Sequence, residues 1–449
     1  MEFTMLGALL VLCMMCIFRI VLKKGAEIYE VLIVTNISYF LFSGIYHHTY
    51  SDSEYAFSDE VIFAGYMGII FYVLGVFVGS ARHRLKYSFI NIQERRSSAF
   101  HSFQSYYNSI RPEMITFLYI VSLAIKYFYY IKGGRIIYGA SLEENGETIS
   151  QPITVLFLLW VIINNGLLTY GLINVIFKKP GHKTLCLSII VTELAFSLIS
   201  RRDFAINVII ILLVYLTSIK KINIRALAIA ASLSLITIKL VLPFIFDFRR
   251  EFAQQYANTQ DIKASIEQAM EQKPFEENQL NYSENLATRG YIISSNFELI
   301  ESKIKNSLPA LNGTVALSSL VFIIPYYLFP EKRNTDPPDQ IMLDHFALPQ
   351  YDHSENIPYA AYADFGYYGP LVYGLLIGLI LSALQEFCIS NLDRHPFASM
   401  SSLTYLLVHG LNFEGLPIIH FILIRDIAII YMISWLFSHF LTKANGARA

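Results

Sequence analysis

The sequence predicts an all-α polytopic integral membrane protein, and three observations carry that prediction. Only 15% of the 449 residues are charged, where a soluble chain carries about a quarter. Mean hydropathy is +0.45, and apolar runs long enough to cross a bilayer recur about eleven times along the chain. The basic residues are distributed unevenly between alternate connections, as membrane insertion requires.

In chain order the predicted spans are 4–22, 30–47, 61–80, 113–131, 152–177, 184–200, 204–219, 226–246, 366–387, 398–412 and 417–437. The first run, Thr4 to Leu22, has no basic n-region and no small-residue cleavage site, so it reads as a retained span. The pattern divides the chain into 1–246 (spans one to eight), 247–365 (one large polar loop) and 366–449 (the last three spans). With Lys23 and Lys24 placed inside, 17 of the 34 basic residues fall in inner connections and the C-terminal tail. The opposite connections Thr49–Glu60 and Asn412–Pro417 hold none. This bias puts the N-terminus and the long loop outside and the C-terminus inside.

The outer loop is acidic, with nine basic residues against seventeen acidic ones. Two segments read as helix. Thr259–Gln272 is rich in Ala, Glu, Gln and Lys. Ser295–Leu308 places Phe297, Ile300, Ile304 and Leu308 at helical spacing. The apolar run Val315–Phe329 is too short for a span, so it reads as a re-entrant or half-buried helix. After Pro330 the chain reads as irregular, until it re-enters the membrane through Asp364-Phe365-Gly366-Tyr367-Tyr368-Gly369-Pro370.

Composition excludes several classes. A net charge of −1 gives no field for nucleic acid, and none of the four cysteines lies in the loop, so no disulfide staples it. Neither a zinc-type Cys/His spacing nor a Gly-rich phosphate loop occurs.

What stands out is basic residues where translocated segments normally lack them. Arg201 and Arg202 lie in a short outer turn, Arg249 and Arg250 open the long loop, and Arg289 lies inside it. Guanidinium groups bind phosphate oxygens in pairs and stay charged at low dielectric, which suits a lipid diphosphate. Snorkelling to headgroup phosphates would place single arginines equally well. His345 and His353 offer a near-neutral base, and Asp344, Asp352, Glu355 and Asp364 offer carboxylates to orient or replace it. Tyr351, Tyr359 and Tyr362 offer rings for sugars, while Tyr367 and Tyr368 read as interfacial aromatics. Within the spans, Glu193 with Lys239 reads as a structural pair, and Arg425-Asp426 as groups partnered inside the bundle.

Taken together, Ser200-Arg201-Arg202-Asp203, Arg249-Arg250 and Thr288-Arg289 resemble the bacterial Wzy-type polymerases of oligosaccharide repeat units. Phe322 to Pro330 looks like a segment of the enterobacterial common antigen polymerases in that group. His353-Ser354 followed by Gly366-Tyr367-Tyr368-Gly369 is similar to the His…Gly-x-x-Gly pattern of O-antigen ligases, with Ser354 where ligases commonly carry Asn. The resemblance covers most of residues 195–385.

That resemblance implies the metal-independent branch of the GT-C glycosyltransferases, with no cofactor. It implies a Gram-negative inner-membrane enzyme with its active site on the periplasmic face. Its substrates would be undecaprenyl-diphosphate-linked oligosaccharides, joined into O-antigen or a related polysaccharide, with membrane lipids around it. A Wzz-type chain-length regulator and a flippase are the partners it implies. In that reading Arg202, Arg249 and Arg289, supported by Arg201 and Arg250, hold the diphosphate. His353 is the base, with Glu355 or Asp364 orienting it, and Tyr351, Tyr359 and Tyr362 face the glycan. An O-antigen ligase and a non-enzymatic lipid-linked oligosaccharide flippase are the alternatives. The absence of internal repeats speaks against the flippase.

Overall fold

A computed structural model describes residues 59–86, 112–127, 163–172, 182–197, 297–324, 328–348, 357–391 and 417–446, with scattered positions in 11–18, 174–175 and 394–406. Every regular element among them is helical. The chain divides into two compact units, one formed by Met1–Phe100 with Glu284–Ala449, the other by His101–Ser283.

The larger unit contains α1 (Asp59–Lys86), a long helix whose inward face is Ala64, Ile69, Tyr72 and Val76. The other unit contains α2 (Pro112–Tyr127) and α3 (Lys183–Ser197), with helical residues at 163–172. Here Tyr119 Oη lies 2.5 Å from Thr192 Oγ1, and Lys126 forms a fully buried ion pair with Glu193. The Asn164 side chain adds a hydrogen bond to Glu193. The expected partner of Glu193, Lys239, lies outside the described residues; α2 supplies the cation instead. Side chains from two apolar helices bring residues 126 and 193 together, which spacing along one chain does not reveal.

Back in the larger unit, the outer loop folds into helices rather than remaining open. Residues 297–305 form a helix whose Phe297 and Ile300 are buried, with Ile304 and Leu308 against the same core, as their spacing predicts. Next come α4 (Thr314–Ile323) and a 3-10 turn over Pro330–Asn334. The segment read as irregular then forms α5 (Pro338–Phe346). Its signal is a proline in the first turn, where the missing N–H costs nothing. Met342 and Phe346 follow at helical spacing and are buried.

The chain enters its longest apolar stretch earlier than hydropathy alone suggests. α6 (Ile357–Phe365) is helical and buried from Ile357 to Asp364. A 3-10 turn over Gly366–Tyr368 joins it to α7 (Gly369–Ser390). Gly366 has φ +58°, open to glycine at no steric cost. A Cβ on Gly369 would lie 1.8 Å from the Ala361 carbonyl oxygen, so α6 folds directly onto the start of α7. The combined run Ile357–Ser390 is long and apolar enough to cross a membrane.

α7 lies against α1 backbone to backbone. A Cβ on Gly374 would fall 2.2 Å from the Gly68 carbonyl oxygen, and one on Gly378 2.3 Å from that of Tyr72. Small residues four apart let apolar helices approach this closely, and the gain is van der Waals contact that does not depend on water. Last, α8 (Pro417–Gly446) buries the stripe His420, Leu423, Ile427 and Ile430.

Candidate functional site around a short apolar helix

α4 organises this part of the molecule. Ten residues make a helix of about 15 Å, whose first N–H and last C=O groups need partners outside the helix. The N-terminal end is held by Asp364, which is wholly buried. Its carboxylate oxygens accept the backbone N–H groups of Val315 at 2.9 Å and Ala316 at 3.0 Å, and the Tyr373 hydroxyl donates to the same carboxylate. The preceding turn is tied to the same place: Leu311 N–H reaches the Ala363 carbonyl at 2.9 Å, and Asn312 N–H that of Asp364 at 2.7 Å. A carboxylate at a helix N-terminus meets the orphan N–H groups and the positive end of the dipole together.

The opposite end carries cations. Lys332 Nζ donates to the Phe322 carbonyl and, at 3.2 Å, to that of Ile324, and lies 4.7 Å from the centre of the Phe322 ring. Arg425 Nη1 reaches the Ile323 carbonyl at 3.4 Å, while its Nε donates to Asp426 Oδ1 at 2.8 Å. The second oxygen of Asp426 accepts the Tyr405 hydroxyl. Burial first, and the Arg425 charge second, draw Lys332 below the ordinary lysine range.

Around α4 lies one core, which joins Ala64 of α1, Phe297, Ile300, Val315, Met342, Phe346, Tyr359 and Tyr362. At its edge Lys305 bridges Glu301 at 2.6 Å and Glu60 at 2.9 Å, and these carboxylates, Glu301 foremost, raise the lysine above its usual range. His345 sits beside the core, its Nε2 2.8 Å from the Pro309 carbonyl, and serves to tie α5 to the chain before α4.

Several expected site residues take other parts. Tyr359 and Tyr362 are 2% and 4% exposed, and Phe297 meets the Tyr362 ring edge-on at 5.0 Å. α6 turns both rings into the core rather than to the surface, and the whole helix from Ile357 to Asp364 is buried. Asp364, expected beside the base, is a helix cap with its oxygens occupied from within. Tyr367 and Tyr368 remain 37% and 72% exposed. Arg201, Arg202, Arg249, Arg250, Arg289, Tyr351, His353 and Glu355 lie outside the described residues.

What the sequence reading missed is the meeting of Lys332 with Arg425. Each is visible as a charged residue near or within apolar sequence, but nothing in their separate contexts joins them. No protein-family model matches the chain, and no curated protein or solved structure matches it.

Proposed function

We propose that this protein is a membrane-embedded polymerase of lipid-linked oligosaccharide repeat units, working on the periplasmic face of a Gram-negative inner membrane. In this reading about eleven spans and one large outer loop form a GT-C-like enzyme. The growing glycan on undecaprenyl diphosphate is the donor, and a new lipid-linked unit is the acceptor.

The observation that supports it most is α4, an apolar helix too short to span, with a buried carboxylate at one end and two cations at the other. Such a helix sets irregular polar chain at membrane depth, where a lipid-anchored glycan must react. His353 and Glu355 fall in the sequence between α5 and α6.

In the proposed reaction an acceptor hydroxyl oxygen bonds to the anomeric carbon of the donor. The anomeric C–O bond to the diphosphate breaks, and its electron pair leaves with undecaprenyl diphosphate. His353 takes the hydroxyl proton, with Glu355 orienting the ring. Arg202, Arg249 and Arg289, with Arg201 and Arg250, stabilise the charge that develops on the leaving phosphate. Asp364 positions α4 rather than touching the reacting atoms.

The test uses purified full-length protein, synthetic lipid-linked repeat units and EDTA. The wild type should polymerise, and His353→Ala should be slower by about 10²–10⁴-fold, the usual range for a lost general base. In cells the same variant should leave single repeat units on the lipid A–core, whereas a ligase variant would leave none. Wild-type rates in His353→Ala place the base elsewhere, and loss of activity in EDTA refutes the metal-independent mechanism.

A further inference from the structure

Among the described residues, the charges at the C-terminal end of α4 do not balance. Lys332 and Arg425 address the carbonyls of three consecutive residues, Phe322, Ile323 and Ile324. The carboxylate beside them is Asp426, and both of its oxygens are taken, one by Arg425 and one by Tyr405. The helix end adds only about half a negative charge. Among the described residues Lys332 has no carboxylate partner, and Arg425 Nη2 has no acceptor. Burial and the neighbouring arginine both draw Lys332 below its ordinary range, as an uncompensated cation pair should.

A second observation concerns the surface leading to this pair. Leu317, Leu320, Ile324 and Leu328 are 64%, 42%, 38% and 66% exposed; Leu317 and Leu320 follow helical spacing along α4, and Ile324 caps its C-terminal end. Cations at one end of an exposed apolar stripe complement an amphiphile with an anionic head. Arg425 lies about 12 Å along α8 from its Pro417 end, at 1.5 Å per residue. A free aqueous anion would have no use for the stripe.

We propose that Lys332 and Arg425 bind the diphosphate of the acceptor, the second lipid-linked substrate, with its polyprenyl chain along Leu317, Leu320 and Ile324. This inference rests on the polymerase reading, in which two lipid diphosphates are held at once. The donor diphosphate is expelled and belongs to the arginines 201, 202, 249, 250 and 289. The acceptor diphosphate stays attached, since its unit reacts at the far, non-reducing end. Its site therefore contributes to binding and not to the chemical step.

The experiment measures acceptor KM and kcat for the full chain in lipid nanodiscs. Native mass spectrometry of the same protein then measures retention of undecaprenyl diphosphate and of phosphatidylglycerol. Charge-assisted hydrogen bonds of this kind correspond to about tenfold or more in affinity. Lys332→Gln and Arg425→Lys should raise acceptor KM about tenfold, leave kcat near the wild-type value, and lower undecaprenyl diphosphate retention in parallel. Phosphatidylglycerol retention should not change. Arg425→Lys keeps the charge and loses the fork, so it tests the site even where Lys332→Gln fails to fold.

Unchanged KM and retention in Arg425→Lys overturn the proposal. Loss of phosphatidylglycerol alone also overturns it and assigns the cations to a bilayer headgroup. An equal loss in Lys305→Gln, which removes a positive charge outside this pair, overturns it in favour of bulk attraction. If the wild type retains undecaprenyl diphosphate through Lys332 and Arg425 yet makes no polymer, the phosphate site stands and the polymerase reading fails.

Discussion

Two regions of this molecule bury charge, and they settle it differently. In the unit His101–Ser283, Lys126 and Glu193 are matched one to one, 1% and 2% exposed, with Asn164 as an added donor. At the end of α4, among the described residues, Arg425 pairs with Asp426 while Lys332 meets backbone carbonyls and the Phe322 ring. Burying an ion costs several kcal/mol unless a partner and hydrogen bonds repay it. A closed pair repays it internally and holds two helices in register. A set left open among the described residues leaves part of the cost standing, and on the proposal above a bound anion would repay it.

The largest effect should come from breaking the closed pair. Lys126→Met leaves Glu193 buried with its charge uncompensated, and should lower stability by about 3–5 kcal/mol. The double variant Lys126→Met/Glu193→Leu should recover most of that loss. Thermal unfolding in detergent measures both, and a double variant no better than the single one would mean that the pair holds more than itself.

A smaller effect is expected at the other end of α4. Asp364→Ala removes a buried acceptor from Val315, Ala316 and Tyr373. Hydrogen bonds to charged groups are worth about 1.5–3 kcal/mol, so stability should fall by about that much. Activity should fall along with it, and protease cleavage near residues 310–324 should rise. Full stability with a specific loss of kcat would return Asp364 to the chemistry.

The smallest effect is expected at the exposed bridge. Lys305→Gln opens contacts to Glu60 and Glu301 on a half-exposed side chain. Water and salt screen the Glu60 contact, and only the buried Glu301 loses a cation it needs, so unfolding temperature should fall slightly. A clear drop would show that the outer helices depend on this bridge to stay on α1.

The helical class, the apolar run that includes α7, the helix at 297–305 and the short apolar helix at 314–323 were all legible in the sequence. Each depends on local periodicity or on the length of an apolar run, and the chain carries both signals residue by residue. α5 was legible in principle, from a proline at its start and apolar residues at helical spacing, but Pro337-Pro338 read as a break. The start of α6 was not legible as membrane-level structure. Tyr359, Tyr362 and Asp364 look polar, and only the core around Phe297 and the open end of α4 give them reason to be buried.

What the sequence by itself determined is therefore which stretches are apolar. Hydropathy is a sum over neighbouring positions, and the chain carries it residue by residue. What only the tertiary structure decided is the pairing of charges. Lys126 with Glu193, Asp364 with the start of α4, and Lys332 and Arg425 at its end join residues far apart in the chain. Coulomb energy and hydrogen bonds depend on distances of a few ångströms. Those distances exist only after helix packing has brought the groups together.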